Sequence, residues 1–230
     1  MDLSKIEFRN GTLYLHQRKG VDTLKKRPGS FPENPALRVE HRESVLSKHI
    51  NTRRIVLLAP LTHKLLDRDF RNILALELKI GKPTMTVKLV PDTESVGHPH
   101  AVIKIKTPTG EKWILDPVGC VYGFREVLVP YWMYMRDKRC RIVATKAYTR
   151  MATEDLDQDL TNSGSDRQEQ TRLLHERGAR WYLITLLKNG LEKSMLDGAP
   201  ELFEQRVISF RRTVRAAMIS YSQMFINVFL

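Results

Sequence analysis

The side chains best placed in this sequence to do chemistry together are His100 and Asp116, in the segment HPHAVIKIKTPTGEKWILDPVGCVYG at residues 98–123. Residues 101–106 alternate as a half-buried strand does, residues 107–110 are turn formers, and residues 112–115 resume an extended pattern. Two strands so joined are antiparallel neighbours. If Lys106 pairs with Lys112 across a five-residue loop, Val102 lies opposite Asp116 and His100 sits diagonally beside it. If the loop spans residues 106–110 instead, His100 faces Asp116 directly. Either register puts both side chains on one face, and a slip of one residue would part them.

A carboxylate beside an imidazole selects which ring nitrogen carries the proton and raises the basicity of the other, so the pair is a ready general base. Such pairs usually serve a nucleophile. Cys120 follows Asp116 by four residues and could reach the pair from the next loop. The plainer readings are a strand histidine with its own partner, an Asp116-Pro117 turn opener, and a small buried cysteine in a Gly-rich turn. Cys140, in the alternating RCRIVAT, reads as a strand core residue. His98 and His100 form an HxH pair that with Asp116, and with His63 or Asp67, would offer a metal two imidazoles and a carboxylate. Pro99 breaks the strand between them, so the expectation is that no metal or cofactor is held.

The elements that must position the pair are a short antiparallel sheet and helices packed on it. Strands are expected at 84–90, 100–106, 112–116 and 139–145, an α+β arrangement. Residues 70–81 are ambiguous. Leu74, Leu76, Leu78 and Ile80 alternate as in a strand, whereas Phe70, Ile73 and Leu74 suit a helix. Residues 1–35 read as an irregular surface arm broken by Pro28, Gly29, Pro32 and Pro35. Residues 36–51 and 126–137 read as helices, the second opened or interrupted by Pro130.

The organisation predicted is an α+β core over residues 1–152, an acidic flexible linker over 153–170 and C-terminal helices over 171–230 packed on the core. The first of these helices spans 166–189, stopped by Asn189-Gly190, and Pro200 opens the last. Along that last helix Phe203, Val207, Phe210, Val214, Ala217, Tyr221, Met224 and Val228 recur every three or four residues as a packing face. It is expected to dock on the core or on a second copy of the protein, a homo-oligomer; the alternative for a basic amphipathic helix is contact with a membrane surface.

The 230 residues suffice for a sizeable core, and 42% hydrophobic residues exclude a largely disordered chain. Two cysteines argue against a disulfide framework, no run spans a bilayer, and the N-terminus is too charged for a secretory signal. A cytoplasmic protein is expected. The net charge of +12 attracts polyanions, yet the basic residues are scattered and carry no zinc-finger, RNP or helix-turn-helix spacing. Nucleic-acid binding is therefore not expected.

The order of strand histidine, turn and Trp-x-x-Asp-Pro resembles the core of the transglutaminase-like superfamily, which includes papain-like folds and arylamine N-acetyltransferases. His100 and Asp116 match that spacing, and residues 67–90 resemble the family's nucleophile helix, the Gly81-x-Pro83 that ends it and the strand that follows. The resemblance tips residues 70–81 to helix and implies a transglutaminase-like, papain-like core with a C-terminal helical hairpin. It places the family's cysteine at residues 65–67, where this chain has Leu65, Leu66 and Asp67. Asp67 could form no thioester, though a carboxylate there could act as a second acid or base. The stretch Asp116, Gly119, Cys120, Tyr122, Gly123, Trp132 and Tyr134 is similar to one in a group of uncharacterised fungal proteins, which lends it no activity.

Two functional versions follow from the resemblance. In one, a degenerate catalytic triad does acid/base chemistry on a small molecule, with His100 as base, Asp116 as its orienting partner and Cys120 or Asp67 as a third group. In the other, the same fold binds a ligand without turnover, as a pseudoenzyme. The alternative class is a non-catalytic interaction protein that meets a nucleic acid or a protein through its basic surface and C-terminal helix.

Overall fold

Asn10 and Gly11, with φ of 48° and 72°, make the left-handed turn that joins strand β1 (Leu3–Arg9) to strand β2 (Thr12–Gln17) in the computed structural model. The structure describes residues 3–17, 38, 41, 44, 59, 62–63, 72–90, 99–162, 167–190 and 199–229. Asn-Gly is the dipeptide best suited to a two-residue hairpin loop, because both positions need positive φ. Its strands pair in register from Arg9↔Thr12 to Ile6↔Leu15. The expectation of an irregular arm is thus corrected for residues 3–17, while Pro28, Gly29, Pro32 and Pro35 lie outside the described residues.

Strands β3 (Asn72–Lys79) and β4 (Thr86–Val90) come next. Strand β4 runs parallel to β2, Thr12↔Thr86 through His16↔Val90, and completes a three-stranded sheet in the order β1-β2-β4. Ile6, Leu13, Leu15 and Met85 are its buried cluster. Strand β3 corrects the helix expected over 70–81. Leu76 and Leu78 are buried on one face, and Glu77, on the other, pairs with Lys146 at 2.8 Å. The period of two wins because the segment has strand neighbours on both sides.

Those neighbours belong to an antiparallel five-stranded sheet. Strands β5 (His100–Lys106), β6 (Lys112–Leu115) and β7 (Leu128–Pro130) precede helix α1 (Tyr131–Asp137) and strand β8 (Arg141–Ala147). The order is β7-β6-β5-β3-β8. The helix expected over 126–137 starts later, because β7 occupies its first residues and Pro130, which has no N–H to donate, stands at the helix cap. Leu76, Leu78, Val102, Ile114, Val129 and Tyr134 form the buried cluster of this sheet. Central strand β5 is covered on both faces, since Val102 and its neighbours Ala101 and Ile103 are all buried.

The chain divides into two units, Met1–Ile55 with Arg68–Tyr148, and Val56–Asp67 with Thr149–Leu230. Both sheets belong to the first. The second holds helices α2 (Arg150–Asn162), α3 (Arg167–Gly190) and α4 (Pro200–Phe229). The flexible linker expected at 153–170 is corrected for residues 153–162 and 167–170, which lie in α2 and α3. Asp157 is buried in an ion pair with Arg180, and Arg177 lies 3.2 Å from its other oxygen. These ion pairs join the acidic segment to α3. Helix α4 packs on α3, where the Tyr221 ring stacks with His175 at 5.5 Å and with Tyr182 at 5.2 Å between centroids. Among the described residues no helix is long and apolar enough to cross a membrane.

Candidate functional site

The loop between β5 and β6 sets the site's register. Thr107 N donates to Glu111 O at 2.9 Å, Gly110 N to Thr107 O at 3.0 Å, and Glu111 N to the Thr107 hydroxyl at 3.0 Å. Lys106 therefore pairs with Lys112 and Ile103 with Leu115. This is the five-residue loop of the sequence analysis, and it puts His100 diagonal to Asp116. His100 also pairs with Leu78 of β3, so its side chain shares the face of Leu76, Leu78, Val102 and Ile114.

His100 Nε2 lies 3.0 Å from Asp116 Oδ2, and neither side chain has any exposure (0%). The same Oδ2 accepts the Tyr134 hydroxyl at 2.6 Å, and Oδ1 accepts the Val118 backbone N–H at 3.2 Å. A carboxylate oxygen accepts hydrogen bonds, so His100 Nε2 is the donor in this one. Burial first, then the charge of Asp116 and the hydrogen bond to it, push the Tyr134 phenol far above its ordinary range. Tyr134 is consequently a fixed neutral donor.

Backbone contacts around the short 3-10 turn Gly119–Tyr122 fit it closely to the pair. A Cβ on Gly119 would sit 2.6 Å from Asp116 Oδ2, so only glycine lets the chain pass behind this carboxylate without displacing it. The Tyr122 carbonyl accepts three donors, Thr84 N at 3.1 Å, Met85 N at 3.1 Å and the Thr84 hydroxyl at 2.8 Å. So held, the Tyr122 ring meets the His100 ring edge-on at 4.9 Å between centroids. Burial, followed by the Asp116 charge, raises the Tyr122 phenol above its usual value. Ser44 spends its hydroxyl on the Val121 carbonyl at 3.1 Å.

The aromatic cover continues through Phe124, 5.9 Å from Tyr122 and 6.3 Å from Tyr134 between centroids. Lys138, buried at the end of α1, lays its Nζ 4.1 Å from the Phe124 ring centre and 4.9 Å from that of Tyr134. Cys140, placed by sequence in a strand core, is half-buried just before β8, and burial pushes its thiol up to about 11.

Of the sequence-predicted site residues, His100 and Asp116 are brought together. Cys120 sits half-exposed on the 3-10 turn, and the ring from that turn which meets His100 is Tyr122. Asp67, His98 and the place at residues 65–67 where the family's cysteine was expected lie outside the described residues. That place presumes a helix through residues 70–81, of which Asn72–Lys79 are strand β3. Among the described residues no group of three His, Cys, Asp or Glu side chains could hold a metal. Sequence reasoning assigned no role to the Val118 amide, nor to Tyr122 and Tyr134, which it marked only as positions similar to the fungal group. No family model, curated protein or solved structure matches the chain.

Proposed function

We propose that the protein has a transglutaminase-like core whose catalytic triad is reduced to a His–Asp dyad, and that this dyad does acid/base chemistry on a small molecule. The observation that carries the reading is the 3.0 Å bond from His100 to a carboxylate already fixed by Tyr134 and the Val118 amide. Three donors on one aspartate hold the imidazole in a single orientation and tautomer, as a general base requires. His100 is the base and Asp116 its orienting partner. Cys120, half-exposed on the next turn, is the nearest thiol in sequence and takes no assigned step. The likeness to the superfamily rests on the hairpin, since the segment matched to the nucleophile helix is a strand.

A second reading is favoured by one observation, the complete enclosure of both side chains. A sealed pair would be a structural tie between β5, β6 and α1. The deciding experiment follows the His100 ring resonances of the protein during a screen of fragment-sized ligands. The expected result is a set of ligands that shift those resonances and bind at least about tenfold more weakly to His100→Gln, with its thermal midpoint little changed. Ligands that bind equally to both proteins, or an absence of ligands that shift these resonances, would make the pair structural and overturn the proposal.

A further inference from the structure

Helix α4 has two chemically different sides. Val207, Phe210, Val214, Ala217 and Tyr221 are half-buried, with Tyr221 stacked on α3. At about 100° per residue, Ile208, Arg212, Arg215 and Ile219 fall within one sector of about 60° on the other side. All of them are exposed, Ile208 at 47% and Ile219 at 50%, and the exposed Arg211 borders them. After Glu204 the sequence to Leu230 contains no Asp or Glu. The helix thus presents arginines interleaved with large aliphatic side chains, and no acid after its first turns screens them.

From this juxtaposition we propose that the outward side of α4 docks on an anionic phospholipid surface, lying in the interface without crossing it. Arginines near such a surface gain from its negative potential, and apolar side chains between them reach past the headgroups. The spacing favours lipid over the other polyanions. A nucleic-acid backbone would pair with the arginines and leave Ile208 and Ile219 in water. An acidic protein partner would need a contiguous desolvated centre, whereas these isoleucines stand three helical turns apart with arginines between them. A fluid surface takes each side chain separately, so isolated apolar points still contribute.

The test is co-sedimentation of the full chain with vesicles of phosphatidylcholine alone and with about one third phosphatidylserine, at two salt concentrations. Binding is expected to the mixed vesicles only. Arg212→Gln with Arg215→Gln is expected to weaken it by about tenfold or more, and Ile219→Ser to weaken it further. Arg125→Gln with Arg141→Gln, which removes the same charge from exposed sites in the other unit, is expected to leave binding nearly intact. Three outcomes overturn the proposal. They are no binding to phosphatidylserine vesicles, equal losses from the two double variants, and capture of a single-stranded oligonucleotide through Arg212 and Arg215 with no vesicle binding.

Discussion

His100 and Tyr134 donate to the same atom, Oδ2 of Asp116, at 3.0 Å and 2.6 Å. One residue opens strand β5 and the other lies in helix α1, so a single carboxylate oxygen ties helix to sheet and imidazole to phenol. The two donors compete for the same negative charge. Tyr134 therefore shares with His100 the oxygen that orients the imidazole.

Replacing Tyr134 with Phe removes the shorter of these bonds and nothing else of comparable polarity. Relieved of that donor, Oδ2 keeps only His100 as a side-chain partner. Stability in urea should fall by about 1.5–3 kcal/mol, and the His100 ring resonances should shift. Resonances that stay put despite the lost stability would show that Tyr134 acts on packing alone.

Alkaline pH should weaken the fold through the same neighbourhood. Tyr134, Tyr122 and Cys140 all hold their protons more tightly when folded than their ordinary values of 10.0, 10.0 and 9.0 allow. The stability this represents is complete below those values and is lost as pH rises above them, because the unfolded chain releases protons that the folded one retains. Urea midpoints should decline from pH 9.0 upward, and Cys140→Ala should flatten the part of the decline between 9.0 and about 11. Stability that is level across this range would contradict the burial of these groups.

Gly119→Ala is a small change aimed at a tight place. The added carbon would lie 2.6 Å from Asp116 Oδ2, so either the turn or the carboxylate must shift. A loss of about 1–3 kcal/mol is expected, with altered His100 resonances. Wild-type stability and an unchanged spectrum would mean the turn is less closely fitted than its geometry implies.

Asp157→Asn tests the tie between α2 and α3. Without its charge, the buried Arg180 and the nearby Arg177 lose their counter-ion, which should cost about 3 kcal/mol or more in chemical unfolding. A loss below about 1 kcal/mol would place the pair among weak surface bridges.

What could be read directly from the sequence was governed by neighbours in the chain. The β5–β6 hairpin, with His100 and Asp116 on one face, followed from Thr107, Pro108, Thr109 and Gly110 and from the side-chain alternation on either side, while the choice between its two registers came from the hydrogen bonds of the loop. The last residues of α3 and the start of α4 were legible from Asn189-Gly190 and Pro200, because caps and breakers act within a turn. The Asn10-Gly11 hairpin was equally legible but was obscured by the proline-rich stretch after it.

Tertiary structure alone decided the rest. Leu74, Leu76, Leu78 and Ile80 were compatible with strand or helix until β5 and β8 supplied hydrogen-bonding partners on both sides. Within the acidic residues 153–162, which are helical, Asp157 meets arginines on α3 that lie twenty and twenty-three residues further on. Tyr134 reached Asp116 across eighteen residues and a change of element. Sterics and local hydrogen bonds bias a chain only over a few residues, so a partner brought by closure of a sheet or packing of a helix leaves no periodic trace in the sequence.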